Sequence, residues 1–203
     1  MELNTISDSK ERFYKEFPYV IPHVFRKVAD ELLVELHLLC HQEKFKADIL
    51  FSLGFTNAYE ALTEGYKPKD HLPMLFNALC KCNNLNPEEI RTKSSLAIEK
   101  SKEIKIEDIN KFVDEDKYEL SIFSNENGIY NRLTAVGIYS VVSIISNKDN
   151  NQTKEEINKV TINISKKLGF PIERVEKDLS VYQGSVDKLK QAIELIKFLN
   201  KSD

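Results

Sequence analysis

Apolar residues recur along most of this chain at spacings of three and four, and no run alternates with period two. That spacing belongs to helices, so the pattern predicts an all-α fold, a multi-helix bundle. The strongest stretch is C-terminal. Ile172, Val175, Leu179, Tyr182, Val186, Leu189, Ile193 and Ile196 follow one another at spacings of 3,4,3,4,3,4,3. This is a heptad seam, the pattern of a coiled coil or of a helix laid along a partner. Gly184 falls inside it, costs ~1 kcal/mol in helix propensity, and allows a bend; unbroken, the helix would run about 28 residues and roughly 42 Å. The helix predicted before it, 153–168, is shorter, with Ile157, Val160, Ile164 and Leu168 on one stripe. In an antiparallel hairpin it covers only the near part of the seam. Val186, Leu189, Ile193 and Ile196 therefore have no obvious cover and must pack elsewhere or stay open, with Tyr182 at the near edge and Lys188, Lys190 and Lys197 alongside. An open apolar stripe of this kind marks an interaction surface.

Punctuation between the helical patterns sets the rest of the organisation. Helices are predicted near 9–16, 22–43, 48–65, 68–82, 86–103, 106–115, 118–124, 129–147 and 153–168, and from Pro171 onward. Asp48 is a candidate cap, "NPEE" at 86–89 a start signal, and Thr153 with Glu156 a capping box. Gly65 is a candidate stop, and Gly169 a natural left-handed terminator. The expected division is a loose 1–8, a helical bundle core over 9–150, and a C-terminal helical hairpin or projecting arm over 151–203.

Composition narrows the function classes. The chain has 203 residues, 41% of them apolar, enough to bury a sizeable core. Charged residues make up 30% and the formal net charge is -3, which gives no basic face for nucleic acid. The odd cysteine number, Cys40, Cys80 and Cys82, does not read as a disulfide framework and suggests a reducing compartment. The N-terminus carries neither a secretory signal nor an Arg-rich transit pattern. "TAVGIYSVVSII" at 134–145 is shorter than the roughly 20 apolar residues of a membrane span. It is expected to be a buried central helix.

Candidate chemistry is sparse. His37 and His41 stand four apart, the spacing at which a helix can hold a metal. At about 100° per residue, Phe25, Ala29, Leu32, Leu33, Leu36 and Cys40 form the core face, and both histidines fall at its rim. Two ligands are fewer than a zinc site takes, and no HExxH supplies a general base. The expectation is a pair of rim histidines, one bonded to a carboxylate such as Asp30, and no metal or other cofactor. A metal-dependent helical enzyme using His37 and His41 is kept as the alternative. Glu31 and Glu35 lie side by side on the opposite flank, not across a cleft as paired catalytic carboxylates do. They are expected to face solvent or to pair with a neighbouring helix. Phosphate loops and nucleophile elbows are absent. In "YNRLTAVGIY" at 130–139, Tyr130 and Arg132 precede an apolar run. An arginine in a first turn opposes the helix dipole, so Arg132 is expected to be a structural ion-pair residue rather than a docking group. A lipid-surface, membrane-organising protein is a further alternative, faintly supported by four Lys against two Asp and one Glu over 184–203.

Six segments occur in order: "TISDSKERFYKEFP" at 5–18, "DELLVELHLL" at 30–39, "FSLGFTNAYEALTEGYKP" at 51–68, "LFNALC" at 75–80, "YNRLTAVGIY" at 130–139 and "LGFPIERVEKDLSVYQ" at 168–183. Together they resemble the thylakoid formation protein family, also described as a photosystem II biogenesis and repair factor. The resemblance implies a non-enzymatic, all-helical accessory protein of oxygenic phototrophs, here of cyanobacterial type. It also implies association with a membrane-bound FtsH-type protease complex and with photosystem II components. The implied place is peripheral, at the cytoplasmic side of the thylakoid membrane, with a soluble pool and no transmembrane span. Asn131 departs from the small residue of that motif but suits a helix start. The chain ends soon after the seam, so no function of a longer tail is implied.

Overall fold

The structure is a computed structural model, and it describes residues 5–124, 129–147 and 153–199. Among these residues it contains nine α-helices and no strand, the all-α class that the spacing predicts. In chain order they are α1 (Ile6–Glu16), α2 (His23–Cys40), α3 (Ile49–Leu62), α4 (His71–Lys81), α5 (Pro87–Glu103), α6 (Ile106–Asp114), α7 (Arg132–Ser146), α8 (Lys154–Lys167) and α9 (Ile172–Leu199).

The start and stop signals act as the sequence predicts. Asp48 Oδ1 accepts from the Phe51 amide at 2.7 Å. Asn86 Oδ1 accepts from Glu88 at 3.0 Å, with Pro87 opening α5. Thr153 and Glu156 form the reciprocal capping box of α8. Its other end closes on Gly169 at φ +75°, where Phe170 N donates to Ser165 O and Gly169 N to Lys166 O, both at 3.0 Å.

Two local expectations are corrected. Residues 5–8 are not loose, because Thr5 caps α1 and Asp8 reaches back to the Thr5 amide at 2.7 Å; residues 1–4 lie outside the described residues. No α-helix forms at 118–124, only a single 3₁₀ turn at Ser121–Phe123. A segment that short does not repay helix nucleation, and burial of Ile122 and Phe123 fixes it instead.

The chain folds into two compact units, and α3 and α9 each contribute residues to both. The grouping places 153–182 and 183–199 in different units. One unit takes the described residues of Met1–Phe45, Tyr59–Glu88 and Gln183–Asp203. Here α1 packs on α2 and α4, and α2 on α4. Phe13, Phe17, Leu32, Leu33, Leu36, Leu75 and Leu79 fill the interior. The Tyr59 hydroxyl donates to Leu72 O at 2.7 Å.

The other unit takes Lys46–Ala58 and the described residues of Glu89–Tyr182. Its central helix is α7, buried at Leu133, Ala135, Val136, Ile138, Val141, Val142 and Ile145. It packs on α8, which also meets α6. Ile109, Phe112, Ile157, Ile164, Phe170, Val175 and Leu179 complete this core. A Cβ built on Gly54 would stand 1.8 Å from Leu133 O, and one on Gly137 2.0 Å from Leu50 O. These two glycines let α3 and α7 meet backbone to backbone.

Candidate functional site

The seam of α9 is only partly open. Val175, Leu179 and Leu189 are buried, while Ile172, Tyr182, Val186 and Ile193 are half-buried. The helix runs through Gly184 without a break, 28 residues or ~42 Å at 1.5 Å per residue. Of the two alternatives for the distal seam, Leu189 and Ile193 take packing elsewhere, against the reading of this stripe as the interaction surface. Leu189 is 6% exposed. Ile193 lies over Gly65, so close that a Cβ there would meet its Cδ1 at 2.9 Å. Adjacency in sequence offers only α8 as a cover, and it cannot show that the turn after α3 supplies another. Lys190 is engaged as well, 3.6 Å from Glu64, whereas Lys188 and Lys197 are exposed. Burial pushes the Tyr182 phenol up to about 12, with Tyr139 adding to the effect.

Apolar exposure is concentrated near the far end of α9. Leu195 is 65%, Ile196 42% and Phe198 70% exposed. Leu195 and Phe198 lie off the heptad stripe, which is why the stripe alone does not reveal them. Their signal is that apolar residues occupy non-seam positions in the last turns.

The other concentration of chemistry is a polar cluster among α1, α2 and α4. His37 is 6% exposed, not at the rim. Its Nδ1 shares a hydrogen bond of 2.9 Å with Ser9 Oγ, so the partner is a hydroxyl of α1 and not Asp30. Burial holds the imidazole below its usual value, aided by the neighbouring His41 and Arg12. His41 donates from Nδ1 to His37 O at 2.7 Å, and the two rings lie 4.0 Å apart. Burial raises the Cys40 thiol to about 12 and that of Cys82 to about 11, the latter against the opposing pull of Arg12. Both thiols are thus protonated at neutral pH, the reverse of what a nucleophilic cysteine requires. No group of three His, Cys, Asp or Glu that could hold a metal occurs among the described residues. Asn83 Oδ1 and the Nε and Nη2 of Arg12 are buried with no hydrogen-bond partner among the described residues.

The remaining predicted residues are dispersed. Glu31 is exposed and 3.7 Å from Lys27; Glu35 is half-buried. Arg132 is half-buried in the first turn of α7, behind the Asn131 cap, whose Oδ1 accepts from Thr134 at 2.8 Å. Tyr130 donates to Asp178 at 2.8 Å, with the Arg174 guanidinium 5.3 Å from its ring centre. The "YNRL" and "ERVEKD" segments of the sequence therefore meet in one contact.

These features define a class: an all-helical protein with a packed interior, protonated thiols and exposed apolar side chains in the last turns of α9. Among the described residues no helix is long and apolar enough to cross a membrane. Residues 5–203 match the model of the thylakoid formation protein family, and the chain belongs to that family. It is 47% identical over 195 residues to Protein Thf1 of Prochlorococcus marinus strain NATL1A, covering 95% of this chain and 94% of that one. Against Protein Thf1 of strain MIT 9312 the identity is 39% over 193 residues, covering 95% and 92%. A solved structure of Psb29 superposes with a TM-score of 0.86 at 29% identity, covering 98% of this chain and 97% of the other.

Proposed function

We propose that this protein is a non-enzymatic accessory factor in thylakoid biogenesis and in photosystem II assembly and repair. It binds and stabilises a membrane-bound FtsH-type protease complex through the far end of α9. Family membership supports the thylakoid setting. The observation that carries the docking surface is the joint exposure of Leu195, Ile196 and Phe198 near the end of one helix. Apolar side chains at such spacing suit a helix laid in a groove of a partner. Lys188 and Lys197 flank them and would steer the helix to an acidic surface, giving an on-rate that falls as salt rises. The protonated thiols and the hydrogen-bonded histidines favour this reading over a metal-dependent enzyme. The proposed place is peripheral, on the cytoplasmic face of the thylakoid membrane. Affinity capture from detergent-solubilised thylakoids tests it. Wild-type protein should retain protease subunits, and Leu195→Asp/Phe198→Asp should lose them while remaining folded.

A further inference from the structure

The loop between α1 and α2 holds Val20 almost wholly in solvent. At 83% it is the most exposed large apolar side chain among the described residues. It is not a loose tip. In "FPYVIP", Phe17 and Ile21 on either side are buried at 0% and 6% exposure. Pro18 and Pro22 restrict the backbone around them. Two buried anchors thus hold Tyr19 and Val20 outward. The Tyr19 ring lies on His71, 4.1 Å between centres, and Phe17 meets the same imidazole edge-on. That contact places the loop beside the segment leading into α4, with the exposed Met74 one turn further on. Phe25 against Tyr66, 5.1 Å between ring centres, brings the first turn of α2 to the same spot.

The charges around this apolar point are cationic, although the whole chain is at -3. Arg26, Lys67 and Lys69 are exposed and form no ion pair among the described residues. Of the nearby acids, Glu16 is taken by Lys81 at 3.0 Å and Glu64 by Lys190 at 3.6 Å. Asp70, and Asp30 one turn along α2 from Arg26, are the acids set against the three cations. We infer that the Tyr19–Val20 loop and its rim of Arg26, Lys67 and Lys69 form a docking surface for an anionic lipid bilayer. Val20 enters the edge of the acyl region, Tyr19 lies at headgroup depth, and the cations face anionic headgroups. The geometry fits a bilayer better than a protein groove. An aliphatic tip with long cationic side chains on the segments beside it has the amphipathic layering of an interface. One inserted side chain plus a few charges gives reversible attachment, which suits a peripheral protein.

The proposal rests on the peripheral placement proposed above and is independent of the protease. Purified protein is sedimented with vesicles of phosphatidylcholine alone and of phosphatidylcholine mixed with phosphatidylglycerol. Binding is expected to the anionic vesicles only and to weaken with salt. Val20→Asp should weaken it about tenfold or more, and Lys67→Glu/Lys69→Glu should abolish it. Val20→Asp should melt as wild type and still capture the protease, since it lies on a solvent-facing loop. Undiminished vesicle binding by Val20→Asp would overturn the proposal. So would equal binding to neutral vesicles, no binding to either, or a loop that captures a protein while ignoring lipid. The vesicle results leave the protease reading untouched, since that reading stands or falls on capture through the end of α9.

Discussion

A Cβ on Gly54 would stand 2.6 Å from the amide nitrogen of Gly137, so the two glycines face each other across the contact of α3 and α7. The neighbours on both sides are backbone atoms, Leu133 O and Leu50 O, and backbone cannot swing aside as a side chain can.

Gly54→Ala and Gly137→Ala should therefore each destabilise the protein by about 3 kcal/mol or more, above the usual range for overpacking. Gly184→Ala is the control, because a Cβ there meets nothing within 4 Å. It should be neutral or stabilising by up to ~1 kcal/mol. Urea unfolding monitored by circular dichroism checks all three.

The partly covered seam gives a paired prediction. Leu189 is buried and Leu195 is 65% exposed on the same helix. Leu189→Ala should cost about 2–4 kcal/mol, and Leu195→Ala should stay within about 0.5 kcal/mol of wild type. For the same reason, truncation after Gly184 should destabilise the protein, since it removes Leu189 and the side chain covering Gly65. Equal effects of Leu189→Ala and Leu195→Ala in urea unfolding would contradict the burial described.

His37 makes stability depend on pH. Its imidazole is held below the ordinary value of 6.5 by burial, then by His41 and Arg12, with Asp8 opposing. As pH falls through that value the unfolded chain takes up a proton that the folded one refuses. Stability is therefore fully present above it and is lost as pH falls toward the folded value. His37→Gln should narrow the gap between urea midpoints at about pH 7.5 and about pH 5.5. An unchanged gap would mean that His37 is not the group responsible.

Metal analysis of protein purified without a histidine tag should find no stoichiometric zinc, iron or manganese. His41→Ala should keep the fold, since His41 is exposed and its Nδ1 only closes the end of α2. One equivalent of metal per chain, lost in His41→Ala, would revive the enzyme alternative.

The sequence carried the helices and their ends well, because caps and terminators are local chemistry. Asp48, Asn86, Thr153 and Gly169 each act within four residues of themselves. Partners distant in sequence were not legible. Ser9 and His37 are 28 residues apart, and periodicity cannot show that a hydroxyl on α1 admits an imidazole to the interior. Likewise nothing in α9 announces that Gly65 offers the flat surface on which Ile193 rests. Gly54 and Gly137 read as isolated glycines until the crossing of their helices explains both. For the proposed docking surface, the heptad pattern picks out a largely covered stripe of α9, whereas the exposed Leu195 and Phe198 lie off it. Exposure depends on what the rest of the chain places there.

The end of α9 as the docking surface is tested most directly by quantitative capture from solubilised thylakoids, with wild type and Leu195→Asp/Phe198→Asp compared at equal loading and matched thermal stability. The expected result is co-purification of FtsH-type protease subunits with wild type and their loss from the double variant. A double variant that melts as wild type and still retains those subunits in full would contradict it.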